Sequence, residues 1–263
     1  MNEAQRASVD AIFAAYIAQS PPKAPGVAYG VVAHGELVHA GGLGALRVGG
    51  DRAPGATDVF RIASMTKSFV AADGAFDYSN FGFTLLGRVL DRASGRPYRD
   101  LIDERILAPL GLRDTTWSDA GVDEQRLAAG YALVDGAWVE QPVQAPGAFS
   151  ALGGLHSTVA DLAVWMHGFI DAWPPRAGDD GHPLSRASRR EMQQIHTALP
   201  LQLGDGAGVL RAQAHGYCLG LMSAEDLVTG RTIGHSGGYP GFGSRMTWHP
   251  DAGIGVVALA NGR

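Results

Sequence analysis

Lysine is rare in this sequence: of 263 residues only Lys23 and Lys67 are lysines, and Lys67 stands three positions after Ser64 in Phe60-Arg61-Ile62-Ala63-Ser64-Met65-Thr66-Lys67. On a helix, residues i and i+3 share a face, so the Lys67 amine can reach the Ser64 hydroxyl one turn away. A serine by itself is a poor nucleophile. A helix N-terminus favours negative charge on its oxygen, and burial lowers the amine's pKa so that the amine can take the proton. The plainer alternative makes Ser64 a helix cap and Lys67 a solvated surface lysine.

Two more groups carry polar chemistry. Tyr78-Ser79-Asn80 places a phenol that can shuttle a proton beside an amide that can orient the lysine or hold a substrate carbonyl, although such a tripeptide is more often only a turn. Gly234-His235-Ser236-Gly237-Gly238-Tyr239 matches G-x-S-x-G, the strand-to-helix elbow that presents a nucleophilic serine in α/β-hydrolases. That elbow needs a helix after Ser236 and an acid and a histidine further on. Here glycines and Pro240 follow, and the only later histidine, His249, precedes Asp251. The remaining reading is a strand edge lining a cleft, with small residues against which a substrate backbone can lie and His235 supplying polarity.

These groups need elements to hold them. Val9, Ile12, Phe13, Tyr16 and Ile17 recur at helical spacing, which predicts an amphipathic helix within residues 1–20. Residues 26–33 and 36–40 flank His34-Gly35, a hairpin signature. A short strand at 58–62 runs directly into the helix former at 64–72, so Ser64 sits at a strand-to-helix junction. Further helices are expected at about 80–94, ended by Gly95, at about 98–108, opened by Pro97, and at about 158–171, opened by Thr158 with Asp161 three residues on. Strands return near 216–222, 230–235, 243–249 and 253–260. Strands at both ends with helices between predict an α+β fold, with one antiparallel sheet assembled from the two ends of the chain and a helical layer inserted. A single domain is expected over 1–263, its sheet-forming part at 1–63 and 200–263 and its mainly helical part at 64–199.

Composition narrows the function classes. With 46% hydrophobic residues and 18% charged, the chain can bury a substantial core, and the net charge of −5 without basic runs argues against a nucleic-acid binder. Cys218 is the single cysteine, so neither an internal disulfide nor a thiolate metal cluster can form. The other eight histidines show no metal-ligand spacing, and no cofactor or metal is expected. No apolar run is long enough for a membrane span, and the N-terminal stretch is broken by Glu3, Asp10 and Gln19, unlike a secretory signal. The compartment stays open, the cytoplasm being the simpler expectation.

The order S-x-x-K, Y-x-N, H-x-G resembles the serine β-lactamase-like hydrolases, in the branch of class C β-lactamases, D-stereospecific peptidases and related esterases. Phe76-Asp77-Tyr78-Ser79-Asn80, Gly153-Gly154-Leu155-His156-Ser157-Thr158 and Gly238-Tyr239-Pro240-Gly241-Phe242 extend the resemblance over nearly the whole chain. It implies a β-lactamase/DD-peptidase-like antiparallel sheet flanked by helices. Ser64 would be the acylated nucleophile, Lys67 and Tyr78 the base and acid pair, and Asn80 a contact to substrate or lysine. His235 would be the counterpart of the third motif's first residue, with Gly237 and Gly238 in the same substrate-binding segment. The oxyanion would be held by the backbone N–H groups of Ser64 and Gly238.

The sequence departs from this pattern twice. Relatives place several tens of residues of helical subdomain between S-x-x-K and Y-x-N, whereas here Ala71-Ala72 runs at once into Asp73-Gly74-Ala75-Phe76-Asp77-Tyr78, so a reduced helical subdomain is expected. A helix over 64–73 rises about 15 Å and five extended residues span about 17 Å, which just allows Tyr78 to return to Ser64. Relatives also continue past the last strand into a helix that covers the sheet beside the N-terminal helix. This sequence stops at Asn261-Gly262-Arg263, and an apolar patch favouring a homo-oligomer is expected there. The expected function is hydrolysis of a small-molecule ester, amide or short peptide through an acyl-enzyme, esterase or peptidase-like more than β-lactamase. A second reading, motivated by the shortened connection before Tyr78, is a non-turnover binding protein or sensor of the same fold.

Overall fold

The computed structural model describes residues 1–70, 79–143, 147, 149–206 and 209–262, with the backbone alone described for 203–206 and 209–211. Helix α1 (Glu3–Ile17) opens with a capping box in which Asn2 and Gln5 satisfy each other's backbone N–H. Strands β1 (Gly26–Ala33) and β2 (Glu36–Gly44) form the expected hairpin. The two turn residues His34 and Gly35 take φ of 52° and 86°, the left-handed pair that a two-residue hairpin turn requires.

A two-residue strand β3 (Phe60–Arg61) leads into a 3₁₀ turn, Ala63–Thr66, and helix α2 (Lys67–Val70). Helix α3 (Asn80–Ser94) is capped by the Ser79 hydroxyl, which accepts from the Gly82 N–H. The helix expected at 98–108 is broken into α4 (Tyr98–Ile102), a π-helical turn at Asp103–Leu107, and α5 (Ala108–Leu110). Pro109 has no N–H for the regular ladder there, which is a local reason for the wider turn.

The small hairpin β4 (Tyr131–Val134) and β5 (Ala137–Glu140) is followed by α6 (Ser150–Gly153) and by β6 (His156–Ser157), which pairs with β3. Helix α7 (Val159–Asp171) starts where the sequence places it, with the Thr158 hydroxyl accepting from the Asp161 N–H. The short α8 (Arg186–Glu191) follows it. The last six strands are β7 (Thr197–Gly206), β8 (Val209–Tyr217), β9 (Met222–Asp226), β10 (Gly230–Tyr239), β11 (Phe242–His249) and β12 (Ile254–Ala260).

Among the described residues β1, β2 and β7 to β12 form one eight-stranded sheet in the order β2-β1-β12-β11-β10-β9-β8-β7, each neighbouring pair antiparallel. The two ends of the chain therefore meet at the β1–β12 pairing, as the strand pattern predicts. Strand β7 and all but the end of β8 were not foreseen, and the strand expected near 216–222 is instead the end of β8, a turn at 218–221 and the first residue of β9. Pro200 is accommodated where the β7–β8 register shifts between Leu199 and Gln202, on an edge strand that tolerates a missing donor.

The core lies between the sheet and the helices. Trp165, Phe169 and Met166 of α7 are fully buried against Met246, Trp248, Val257 and Leu259. The opposite sheet face carries α1, whose apolar side packs on a smaller cluster of Ala24, Val27, Tyr29 and Ala260. Ile12, expected on that apolar side, is instead 67% exposed. A groove of about 510 Å³ runs beside α1, lined by Phe13, Tyr16, Val27, Ala258 and Ala260, on the face where the apolar patch is expected.

Candidate active site

Ser64 lies in the 3₁₀ turn that joins β3 to α2. The turn is held from several directions. The Ile62 N–H donates to the Leu155 carbonyl, the Ser244 hydroxyl donates to the Ile62 carbonyl at 2.7 Å, and the Ser68 hydroxyl donates to the Met65 carbonyl. Trp165 of α7 in turn donates its indole N–H to the Ser68 hydroxyl. Ala63, immediately before Ser64, has φ of 48°. A non-glycine residue in that region costs on the order of 1–3 kcal/mol and persists only where surrounding bonds fix it, a pattern that clusters at functional sites.

Lys67 is completely buried, and its Nζ lies 2.9 Å from Ser64 Oγ and 2.7 Å from the Leu152 carbonyl oxygen. The amine also sits 5.4 Å from the centre of the Phe83 ring, in the first turn of α3. Burial lowers its pKa from the usual lysine value to about 8. Close to neutral pH the group therefore exchanges between ammonium and free amine. As an amine it can accept the Ser64 proton while still donating to Leu152. The solvated-lysine alternative is excluded by this burial.

The third motif reaches the same place from β10. The strand runs unbroken from Gly230 to Tyr239, so Ser236 is a strand residue and the elbow reading fails on geometry as well as on sequence. Pairing of β10 with β9 ends at Gly234 and Met222, and residues 235–239 pair with β11 alone within the sheet. Gly237 faces the nucleophile turn at close range. A Cβ there would stand 2.3 Å from the Ile62 carbonyl oxygen, 2.3 Å from Ser244 Oγ and 3.1 Å from the Ser64 backbone nitrogen, so only glycine fits. Gly238 follows, opposite Gly243.

His235 is 4% exposed, its Nδ1 is 2.6 Å from the Ser236 carbonyl oxygen, and its Nε2 is 3.2 Å from the Tyr217 hydroxyl. Burial, with a smaller contribution from the Lys67 charge, lowers its pKa to about 4 against the opposing pull of the Ser236 carbonyl. At neutral pH the ring is an uncharged imidazole.

The structure thus brings Ser64, Lys67 and Gly237 together, with His235 and Gly238 flanking Gly237 on the same stretch of β10. Asn80 is the first residue of α3, three positions before Phe83. Tyr78 lies outside the described residues, as does the junction of Ala72 with Asp73. Sequence reasoning missed Ser244, Tyr217, Phe83 and the Leu152 carbonyl. Ser244 and Tyr217 lie in strands that carry several other polar residues, and no local pattern singles them out. A cation–π pair of Arg61 with Tyr239, 4.2 Å from guanidinium carbon to ring centre, closes the far end of the β10 segment. Among the described residues no cluster of His, Cys, Asp and Glu is arranged to hold a metal ion.

Comparison with known proteins gives the same direction. The sequence matches the family described as Beta-lactamase over residues 9–73 and 71–263, two stretches that meet where the shortened connection is expected. It is 31% identical over 113 residues to the D-alanyl-D-alanine-carboxypeptidase/endopeptidase AmpH of Escherichia coli (strain K12), covering 43% of this chain and 28% of that protein. It is 24% identical over 201 residues to penicillin-binding protein 4* of Bacillus subtilis (strain 168), covering 70% of this chain and 39% of that protein. The chain thus spans well under half the length of these relatives. The octameric penicillin-binding protein homologue from Pyrococcus abyssi superposes with a TM-score of 0.82 at 20% identity, over 97% of this chain and 73% of that one, and so shares its fold. Matched from residue 9 to its last residue, the chain belongs to the Beta-lactamase family.

Proposed function

We propose that the protein is a serine hydrolase that cleaves an ester or amide by acyl transfer through Ser64. The observation that carries this reading is the contact of a fully buried Lys67 amine, 2.9 Å from the Ser64 hydroxyl. In the proposed sequence the free amine of Lys67 takes the Ser64 proton as the oxygen attacks the substrate carbonyl. The N–H groups of Ser64 and Gly238 hold the developing oxyanion, and each such donor is worth about 3 kcal/mol of barrier. Collapse expels the alcohol or amine, which takes up a proton, and leaves an acyl-enzyme that water hydrolyses. Tyr78 is assigned the proton transfer to the leaving group, and Asn80 the contact to lysine or substrate, by the motif they share with relatives.

Within that class the uncharged His235 favours esters or peptide-like amides over β-lactams, because a neutral imidazole draws a substrate carboxylate less than an ammonium does. The name of the E. coli relative, a carboxypeptidase and endopeptidase, supports amide cleavage for the group. Self-association belongs to the proposal too, supported by the apolar groove beside α1 and by the octameric relative. Hydrolysis of short-chain p-nitrophenyl esters faster than of a chromogenic cephalosporin is the expected result. The reverse order overturns the preference for esters.

A further inference from the structure

Resting on the hydrolase reading above, we infer that Tyr217 is a positioning residue for the reaction: through His235 it holds the Ser236 carbonyl, and with it the strand segment that presents the Gly238 N–H.

The direction of each hydrogen bond follows from the distances. An unprotonated Nδ1 facing a carbonyl oxygen at 2.6 Å would set two lone pairs against each other, so Nδ1 carries the proton and donates to the Ser236 oxygen. In a neutral ring Nε2 is then an acceptor, and the Tyr217 hydroxyl at 3.2 Å donates to it. Both side chains are 4% exposed, which leaves little water to compete for these bonds. The low pKa of the buried imidazole supports the same neutral form.

Tyr217 is a firm anchor. It is the last residue of β8, its carbonyl accepts from the His196 N–H, and the next residue, Cys218, donates its N–H to the Leu221 carbonyl. The phenol thus reaches β10 from the second strand over, beyond the point where β9 stops supporting it. That is the stretch of β10 that lacks a strand on one side, and it carries the residues facing Ser64.

The consequence for chemistry comes from strand geometry. Along a strand, residues i and i+2 turn their N–H and C=O groups to the same edge. Ser236 and Gly238 share an edge in this way. Peptide planes are rigid, so fixing the Ser236 carbonyl leaves only the two dihedrals of Gly237 to set the direction of the Gly238 N–H. Glycine is the residue with the most freedom to lose there, and an external brace on Ser236 reduces it. An oxyanion donor must be aimed where charge develops rather than where the ground-state carbonyl lies.

Tyr217→Phe removes one hydroxyl and keeps the ring, so the fold is retained. Three readouts decide. In protein labelled with [15N]histidine, His235 should show a protonated Nδ1 and an unprotonated Nε2 at pH 7, and the Nε2 resonance should move in Y217F. The Gly238 amide should exchange with solvent several-fold faster in Y217F. With a p-nitrophenyl ester, Y217F should lose about tenfold in kcat with KM within about twofold, a fraction of the 10²–10³ cost of deleting an oxyanion donor outright. His235→Asn, whose amide N–H stands near the place of Nδ1, should keep most of the activity that His235→Ala loses. An Nε2–H tautomer or an imidazolium at pH 7, an unchanged Gly238 amide, or wild-type kcat in Y217F would each overturn the inference. If the wild-type protein hydrolyses no ester, the hydrolase reading fails, and the tautomer and the Gly238 exchange rate still decide the role of Tyr217.

Discussion

On the sheet face toward α7, Trp165, Phe169, Met246, Trp248, Val257 and Leu259 are all buried, with Trp165 stacked on Phe69 at 4.3 Å and Phe169 on Trp248 at 5.4 Å. On the face toward α1 no residue of the helix is fully buried. The helix is held there by the stacking of Phe13 on Tyr29 at 4.0 Å and by Asp10, whose carboxylate accepts from the Tyr29 hydroxyl at 2.6 Å and pairs with His39. The nucleophile turn is rooted in the first face through Trp165, Ser68 and Met65. Dense packing there can hold a buried lysine and a strained Ala63, both of which cost free energy. The second face closes the sheet without contributing side chains to the turn.

Trp165→Ala should have the largest effect, a loss of about 3–5 kcal/mol in denaturant unfolding, since it opens a cavity against Phe69 and Phe169 and removes the bond to Ser68. Hydrolysis should fall with it.

Lys67→Met tests the same face with the opposite sign. Lowering the amine's pKa from 10.5 to about 8 means the folded state disfavours its charge. Replacement should therefore stabilise the protein at pH 7 by up to about 3 kcal/mol, less the loss of the bond to Leu152, while abolishing activity. Between pH 8 and 10.5 the unfolded lysine binds a proton that the folded one does not. Wild-type stability rises with pH across that window relative to the variant, and the gap closes near 10.5. In the wild-type protein, kcat/KM for an ester should rise through an apparent pKa of about 8 as the free amine becomes populated. A rate independent of pH from 6 to 9 would remove Lys67 as the base.

Phe13→Ala should cost less, about 1–2 kcal/mol, because the ring is only partly buried, and it should leave hydrolysis unchanged. A cost equal to that of Trp165→Ala would break the contrast between the faces. The smallest expected change is that of Asp10→Asn, a slight fall in Tm at pH 7. Hydrogen bonds from Tyr29 and His39 hold this carboxyl below its ordinary pKa, so its contribution is present above about pH 4 and fades as pH falls through the folded value.

The same contrast explains what was legible in the sequence. Caps and turns are local, so Thr158 with Asp161, the His34-Gly35 turn and the Gly95 terminus of α3 could be read directly. The spacing of Ser64 and Lys67 announced their contact, whereas the small residues after His235 were read as room for a substrate backbone, and Gly237 makes room for the nucleophile turn itself. Tyr217, Ser244 and the Leu152 carbonyl reach the site across 18, 182 and 85 positions of chain, respectively. No local pattern encodes such pairings. The exposed Ile12 and the strand expected near 216–222 were misread for a related reason: helical spacing shows a potential apolar side but not what will cover it, and a short apolar run does not show where one strand ends and the next begins.

The most direct test of Ser64 as nucleophile is intact-mass analysis of the protein treated with an activated ester that deacylates slowly, or with a fluorophosphonate, followed by peptide mapping. One adduct per chain on the peptide containing Ser64, absent in Ser64→Ala along with all ester hydrolysis, is the predicted result. An adduct elsewhere, or hydrolysis undiminished in Ser64→Ala, would contradict it.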